Sequence, residues 1–401
     1  MLLLSILRPI FALLSLVILV GAVWLLWEWY QGETIQSPDG RLLHTRDDWL
    51  LWLGLALTAW SFLGRFLWVP LLARSDTDPT RAERGNGNLI QVPSGSRLYV
   101  ESTGAPDGPV LILTHGWGMD STIWYYARRA LSRQFRIVTW DLPGLGRSSG
   151  RISLESFAAD LAALVASVGQ PVLLVGHSIG GMTIQTLART HPQLFGREVV
   201  GVVLLNTTYT NPLKTMILPR LAQALRPLLE GGFRLQIWLQ PLFWVIAWQS
   251  YISGSTHMLN RLAFGPHVTR SQLGHTALLT TRNPPAAMAR GNLAMFDWDA
   301  TGVMSRVTVP VLVLGGDIDI VTKVEASKAI ASSSPGALLE VVGSANHMGM
   351  LDEAPHYHRS IQDFASSVFL PDTSNDKPDN SVPPHPADLG NQVPPARQPG
   401  Q

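Results

Sequence analysis

Short, mainly apolar runs recur along the central part of the chain, and each has the length of a buried strand. The four clearest runs cover residues 110–114, 172–175, 309–314 and 337–342. Two further runs, at residues 89–92 and 98–101, precede them as a candidate antiparallel pair. Strand-length apolar runs that alternate with helical stretches are typical of a parallel sheet covered by helices on both faces. The pattern therefore predicts a mostly parallel, doubly wound α/β domain.

The first 74 residues carry two much longer apolar stretches, which we interpret as a membrane anchor. Residues 9–27 contain no charged side chain, and as a helix they measure about 28 Å, close to the thickness of a bilayer core. The second stretch is interrupted by Arg65, whose long side chain can reach an interface. Tryptophans crowd the end of the first stretch and the start of the second, as at a membrane interface. We therefore expect helices at about residues 9–30 and 49–73.

Two alternatives to this helical hairpin were weighed. A cleaved signal peptide fits less well, because the apolar core is long and bulky tryptophans follow it in place of small residues. A single anchor followed by an amphipathic helix stays open. Basic residues flank the outer ends of the hairpin at Arg8, Arg74, Arg81 and Arg84. The positive-inside rule then places both termini and the following domain in the cytoplasm, whereas a second helix that does not cross would leave the domain outside.

Two segments differ in composition from the predicted domain. Residues 75–87 are polar and rich in turn formers, and they are interpreted as a linker. Residues 371–401 contain eight prolines and no aromatic residue. Such a segment cannot bury enough apolar surface to order itself, so we expect a disordered, proline-rich tail.

Charge and composition argue against several classes of function. The net charge is +1 and no basic stripe is present, which disfavours nucleic-acid binding. The chain has no cysteine and therefore no disulfide, which fits a cytoplasmic site. The histidines lack metal-binding pairs, and the glycine motifs lack the Lys-Ser/Thr ending of a phosphate-binding loop. We predict neither a metal nor another cofactor, and nothing in the sequence indicates the oligomeric state.

The most informative motif is Gly176-His177-Ser178-Ile179-Gly180, which stands between an apolar strand and a helix-compatible run. A sharp turn at this point strains the serine backbone and requires residues without bulk two positions before and after it. The alternative is a serine that merely caps the following helix.

Other reactive side chains also follow predicted strands. His115-Gly116-Trp117-Gly118 follows residues 110–114, while Asp317 and Asp319 follow residues 309–314, and His347 follows residues 337–342. The carboxyl ends of parallel strands meet at the edge of the sheet where ligands bind. A serine, a carboxylate and a histidine are therefore expected together at one edge.

Five segments in the same order make the sequence similar to the α/β-hydrolase family. They are His115-Gly116-Trp117-Gly118, residues 141–148, residues 176–181, residues 316–319 and Asn346-His347. The resemblance covers roughly residues 88–370 and implies a core of residues 88–208 and 306–370 with a helical cap, or lid, at residues 209–305. One departure is Asn346, since the family more often has glycine before the histidine.

The resemblance implies roles for individual residues. Ser178 would be the nucleophile, His347 the base that takes its proton, and Asp319 the acid that orients the base. Asp317, two residues away, remains the alternative acid. The backbone N–H groups of Trp117 and Ile179 would form the oxyanion hole, and Gly176 and Gly180 would permit the sharp turn at the nucleophile. The other histidines are interpreted as loop, surface or packing residues.

The cap region is unusually apolar. Residues 235–260 contain no Asp, Glu, Lys or Arg, and they include Trp238, Phe243, Trp244 and Trp248. Glutamines in this segment argue against a third spanning helix. The cap helices either pack only on each other and on the core, or they form an acyl-binding wall or a surface that dips into the bilayer.

Taken with the predicted anchor, the resemblance implies a membrane-anchored serine hydrolase. The expected reaction is hydrolysis of a lipophilic carboxylic ester, or of another small acyl substrate, through an acyl-serine intermediate. The alternatives are carbon–carbon or amide bond hydrolysis or acyl transfer with the same three residues, and a non-catalytic binding module at the membrane. The expected partners are the substrate and the lipid bilayer.

Overall fold

The structure, a computed structural model, describes residues 2–369. The chain begins with helix α1 (Leu2–Gln31), a short antiparallel pair of strands, β1 (Glu33–Gln36) and β2 (Leu42–Thr45), and helix α2 (Asp48–Leu72). The two helices pack against each other as an antiparallel pair, and we call them the hairpin. The tail expected at residues 371–401 lies outside the described residues.

Eight further strands form the central sheet: β3 (Asn88–Gln91), β4 (Arg97–Gly104), β5 (Val110–Thr114), β6 (Arg136–Trp140), β7 (Val172–His177), β8 (Val199–Leu205), β9 (Val311–Gly316) and β10 (Leu338–Val342). Their order is β10-β9-β8-β7-β5-β6-β4-β3. The pairs β3–β4 and β4–β6 are antiparallel and the others are parallel. The prediction of a mostly parallel α/β sheet that begins with an antiparallel pair is confirmed.

The helices that follow the hairpin fall into two groups. Those of the core are α3 (Tyr125–Leu131), α4 (Leu154–Val168) and α5 (Ile179–Thr190), and after the insert α13 (Val324–Ser333), α14 (Gly349–Asp352) and α15 (Ala354–Phe369). Those of the insert between β8 and β9, the cap, are α6 (Pro212–Thr215), α7 (Pro219–Ala224), α8 (Arg226–Trp238), α9 (Gln240–Ile252), α10 (Ser255–Arg261), α11 (Arg270–Arg282) and α12 (Pro285–Phe296).

The central strands are apolar throughout because both faces of the sheet are covered. Along β5, Val110 and Ile112 belong to one apolar cluster, and Leu111 and Leu113 belong to the cluster on the opposite face. Side chains alternate across a strand, so a continuous apolar run supplies both layers at once. This two-sided burial holds the sheet edge that carries the candidate site.

The hairpin packs on the cap through small and polar residues. The Ser15 and Ser255 hydroxyls are 2.6 Å apart, and the Gln249 amide donates to the Ser61 carbonyl oxygen at 3.3 Å. Gly64 lies so close to Ser253 that an added Cβ would collide with its carbonyl oxygen. The contact therefore resembles helix packing in membranes, where small residues let backbones approach.

Most of the hairpin surface is nevertheless not covered by protein. Two segments, Leu7–Gln31 and Asp48–Leu72, are long and apolar enough to cross a membrane, and only 22% and 17% of their most apolar windows are buried. The core helix of a globular domain would be mostly covered. By length and composition the two helices match the predicted anchor.

The segment interpreted as a linker is folded onto the core. Arg84 donates to Asp120 at 2.6 Å and to Asp141 at 2.9 Å, and the hydroxyls of Thr80 and Tyr126 are 2.9 Å apart. These contacts tie residues 75–87 to the loops after β5 and β6 and to α3.

Candidate active site

Ser178 stands at the sharp turn between β7 and α5. Its backbone has φ 54° and ψ −117°, a combination that costs energy for any residue with a side chain. A Cβ on Gly176 would meet the backbone of Gly180, and a Cβ on Gly180 would meet the carbonyl oxygen of Thr114. The two glycines are therefore required for the turn, which projects the serine at the N-terminus of α5.

The structure brings Ser178, His347 and Asp319 together at the carboxyl edge of the sheet. The distance from Ser178 Oγ to His347 Nε2 is 3.1 Å, and that from His347 Nδ1 to Asp319 Oδ2 is 3.0 Å. The histidine and aspartate side chains are completely buried, and Ser178 is 7% exposed. In this arrangement the serine hydroxyl donates to the imidazole, whose other nitrogen donates to the carboxylate.

Asp319 is held by more hydrogen bonds than the one from histidine. Its Oδ1 accepts from the backbone N–H groups of Val321 and Thr322, and its Oδ2 accepts from the Thr322 hydroxyl and the Asn206 amide, all at 2.8–3.0 Å. Asp317, the alternative acid, is exposed to solvent. Of the two aspartates, only Asp319 is placed to orient His347.

The environment controls the charge of both groups. Burial alone raises the pKa of Asp319, but the neighbouring His347 and the hydrogen bonds to the carboxylate outweigh it, so the net pKa lies below the ordinary value. Burial lowers the pKa of His347, and Asp319 only partly offsets this. The pair therefore favours an ionised acid next to a neutral imidazole at neutral pH, the state that a general base requires.

The loop after β5 lies directly against the serine. A Cβ on Gly116 would be 3.5 Å from Ser178 Cβ. In the described part of the chain, neither the Trp117 nor the Ile179 N–H donates a backbone hydrogen bond. Ile179 follows the serine in the chain and Trp117 follows Gly116, so both N–H groups remain the candidates for the oxyanion donors.

Several residues of this network are not apparent from motif analysis. Asn206, at the end of β8, donates to Asp319 and accepts from the Tyr357 hydroxyl at 2.7 Å. Asn346 accepts from the N–H of Ile320 at 3.2 Å and donates to the Leu262 carbonyl oxygen at 3.0 Å. The departure from glycine at Asn346 thus links the acid loop, the histidine loop and the cap. The available signal was a polar residue directly after a buried strand, as at Asn206.

The other histidines lie elsewhere or have structural contacts. His115 Nε2 accepts from the Leu142 N–H at 3.0 Å, and His177 is bonded to the His347 carbonyl oxygen at 2.9 Å. His267 and His356 pair with Glu353 and Glu340. None of these contacts involves the Ser178 hydroxyl.

Comparison with known proteins supports the same assignment of fold. The model described as "Alpha/beta hydrolase family" matches residues 111–357, more than half of the chain. An esterase from Exiguobacterium antarcticum superimposes with a TM-score of 0.57 at 18% identity, covering 70% of this chain and 100% of the esterase. At that identity the likeness shows the fold.

Two curated relatives match most of their own length. The chain is 28% identical over 271 residues to a putative carbamate hydrolase, RutD, of Serratia proteamaculans, covering 66% of this chain and 94% of that protein. It is 25% identical over 278 residues to a pimeloyl-(acyl-carrier protein) methyl ester esterase of Vibrio atlanticus, covering 67% and 98%. This chain therefore carries sequence beyond either alignment. The match to the family model and the observed sheet confirm the resemblance seen in the motifs, and the chain belongs to the α/β-hydrolase family.

Proposed function

We propose that the chain is a membrane-anchored serine hydrolase that cleaves a lipophilic carboxylic ester through an acyl-Ser178 intermediate. The observation that carries the proposal is the hydrogen-bonded series of Ser178, His347 and Asp319 beside the loop containing Trp117. Family membership makes the chain a hydrolase, and the geometry supplies a nucleophile, a base and an orienting acid for that activity.

The proposed reaction proceeds in two halves. Ser178 Oγ attacks the ester carbonyl carbon while His347 Nε2 takes the hydroxyl proton, and the oxyanion accepts hydrogen bonds from the Trp117 and Ile179 N–H groups. His347 then gives the proton to the leaving alcohol. A water molecule attacks the acyl-serine with His347 again as base, releasing the acid and restoring Ser178, so that ester and water yield acid and alcohol.

An ester is favoured over other bonds by the relatives, and a lipophilic one by the hairpin. The Vibrio relative is named as a methyl ester esterase and the Exiguobacterium neighbour as an esterase. The hairpin presents apolar side chains to its surroundings along most of its length, for example Val17 at 57% and Trp24 at 58% exposed. Such a surface is stable in a bilayer and costly in water. An enzyme held there meets lipophilic esters first.

The location and orientation follow from the same hairpin. Because α1 and α2 are antiparallel, two crossings would leave the core on the same side as the chain's beginning. The excess of arginines at the outer ends of the hairpin supports a cytoplasmic position for that side. The α1 helix also packs on the cap through Ser15.

A fluorophosphonate probe tests the proposed chemistry, because it reacts with activated serines. The membrane fraction containing wild type is compared with Ser178→Ala and His347→Ala, and with Ser305→Ala and His356→Ala as matched controls on the surface. We expect labelling of the wild type and both controls, and its loss in the two site variants. Labelling that persists in Ser178→Ala would show that another serine reacts and would overturn the assignment.

A panel of substrates then tests the bond. Matched acyl compounds that differ only in an ester, amide or carbamate linkage, together with a diketone, are offered to the labelled enzyme. We expect turnover of the ester. If the carbamate, amide or diketone is cleaved and the ester is not, the proposed ester hydrolysis is wrong, while the roles of Ser178, His347 and Asp319 stand.

A further inference from the structure

Helix α1 of the hairpin and helix α9 of the cap line two cavities that follow each other along α1. The inner cavity is lined on the hairpin side by Arg8, Pro9 and Ala12, and the outer groove by Leu16 and Leu19. These positions are three or four residues apart in most steps, so they form one stripe of α1. The stripe extends over about 15 Å of helix.

The inner cavity ends next to the loop that flanks Ser178. It is also lined by Met288 of α12, whose carbonyl oxygen accepts from the Trp117 indole N–H at 3.2 Å. The Met288 methyl would be 2.9 Å from a Cβ on Gly118. Met288 therefore lies between the inner cavity and the segment that carries the proposed oxyanion donor of Trp117.

The outer groove opens on the apolar surface of the hairpin. On the cap side it is lined by Trp244, Val245 and Trp248 of α9, and Val245 is 66% exposed. On the hairpin side the neighbouring Val17 is 57% exposed. The groove, about 530 Å³ in volume, therefore faces the same surroundings as a helix that is apolar enough to cross a membrane.

We propose that the acyl chain of a lipid ester enters laterally from the bilayer between α1 and α9 and lies along this stripe while its carbonyl is at Ser178. The proposal rests on the proposed ester hydrolase function and names the route and binding site of its substrate. An acyl chain is the fitting occupant because the outer groove, apart from Gln249, is lined by hydrocarbon and aromatic side chains and opens beside a segment of membrane-spanning length.

The route is closed at its inner end in this structure. The inner cavity has a volume of about 40 Å³, room for only a few water molecules. Phe243 and Met288 line it, and methionine adapts its shape readily. Entry of an acyl chain therefore requires that these side chains rotate or that α9 moves away from α1.

A second opening, which is polar, lies near the same loop, and we assign it to short, water-soluble esters. A polar cavity of about 640 Å³, lined by Arg84, Arg147 and Arg282, shares Asn283 with the inner cavity. The Asn283 amide donates to the Gly118 carbonyl oxygen at 2.9 Å, so this polar opening also reaches the loop beside Ser178. Because the two openings differ in polarity, the length of the ester's acyl chain distinguishes the lateral route from the polar one.

The test fills the lateral route without changing the site. Ala12→Phe narrows the inner cavity, and Leu13→Phe, one residue on, is the control because Leu13 is 56% exposed. The full chain in lipid vesicles is assayed with the p-nitrophenyl esters of butyrate and palmitate. We expect kcat/KM for palmitate to fall about tenfold or more in Ala12→Phe, because the ring fills space that the acyl chain requires. Butyrate hydrolysis and fluorophosphonate labelling should change about twofold or less, and Leu13→Phe should match the wild type.

A second pair of variants, on α9, separates an effect on the lateral route from a folding defect caused by the change in α1. Ala247→Phe narrows the same cavity from the cap side, and Val245→Phe is its exposed control. If palmitate hydrolysis is unchanged in both cavity variants, or if both lose butyrate and palmitate hydrolysis equally, the lateral route is wrong. If the wild type itself labels and hydrolyses neither ester, the proposed hydrolase function fails first.

Discussion

The carboxyl edge of the sheet and the contact between hairpin and cap are built on different principles. At the sheet edge, Ser178, His347 and Asp319 lie within a network in which each hydrogen bond fixes the next. In the hairpin–cap contact, buried polar atoms such as Ser61 Oγ and Trp68 Nε1 have no hydrogen-bond partner among the described residues. Buried polar groups are normally paired, and unpaired ones mark places where a structure is incompletely packed or able to rearrange.

This difference matches separate roles for the two regions, catalysis at the sheet edge and substrate entry at the hairpin–cap contact. Pre-organised hydrogen bonds place the reacting groups before the substrate arrives. The hairpin–cap contact has a small cavity at its centre and small residues at its margins, and the proposed lateral route requires it to separate. The comparison therefore predicts large, substrate-independent losses from changes at the sheet edge, and smaller losses from changes at the hairpin–cap contact.

The largest effect should come from the buried acid. Asp319→Asn keeps the shape of the side chain but removes the charge that orients and stabilises the His347 imidazolium, so we expect kcat to fall roughly 10⁴-fold for every ester. Asp317→Asn is the matched control two residues away, and its exposed side chain should leave the rate within about twofold. Steady-state hydrolysis of the butyrate ester measures both. A loss in Asp317→Asn with normal activity in Asp319→Asn would exchange the roles of the two aspartates.

An intermediate effect should come from the hairpin–cap contact. Gly64→Ala places a methyl group against the Ser253 carbonyl oxygen, and such overpacking costs about 1–3 kcal/mol of stability. Gly21→Ala is the control, since a Cβ there meets no atom within 4 Å. Thermal loss of fluorophosphonate labelling in detergent micelles compares the two. We expect Gly64→Ala to lose labelling at a lower temperature than the wild type, and Gly21→Ala to lose it at the same temperature as the wild type. Equal temperatures for the two variants would show that the hairpin–cap contact contributes little to stability.

At the sheet edge, some of the site residues could be predicted from the sequence and others could not. Ser178 and His347 were predicted because each follows an apolar strand in a motif with mechanical requirements, and strand order then brings distant strand ends together. The choice between Asp317 and Asp319 stayed open, because spacing alone does not say which side chain turns inward. The link from Asn206 to Tyr357 spans 151 positions, and no local pattern encodes a contact at that separation.

For the hairpin, the sequence predicts the helices but not what they pack against. Length and hydropathy predicted both ends of α2 and the end of α1 to within one residue, since these properties are local. The start of α1, expected at about residue 9, lies at Leu2, because residues 2–8 continue the helix before the uncharged stretch begins. The pattern could not show that α1 would pack on α9, because an apolar side chain that faces lipid and one that faces protein are chemically alike. The linker at residues 75–87 was also expected from composition alone, whereas Arg84 ties it to two buried carboxylates of the core.

A pH-dependent effect concerns Asp352, which follows the histidine loop and accepts a hydrogen bond from Gly265 of the cap. Burial, aided by the charge of Glu353, raises the pKa of Asp352 to about 7, and the Gly265 N–H bonded to it lowers that pKa only in part. A carboxyl whose folded pKa is raised holds its proton after the unfolded chain has lost it. The stability it contributes is therefore full below pH 4 and decreases as the pH rises to about 7.

Asp352→Asn removes this dependence, because an amide does not ionise and its oxygen can still accept from the Gly265 N–H. We expect the variant to be more stable than the wild type at pH 8 and similar to it at pH 4.5, as measured by thermal unfolding in the same detergent. Asp363→Asn, at an exposed position of α15, should follow the wild type at both values. If Asp352→Asn is instead less stable at pH 8, the ionised carboxylate is stabilised by its surroundings. The ionised Asp352 would then stabilise the histidine loop, much as the ionised Asp319 orients His347. The hydrogen-bonded network of the sheet edge would in that case extend to the contact between Asp352 and Gly265 of the cap.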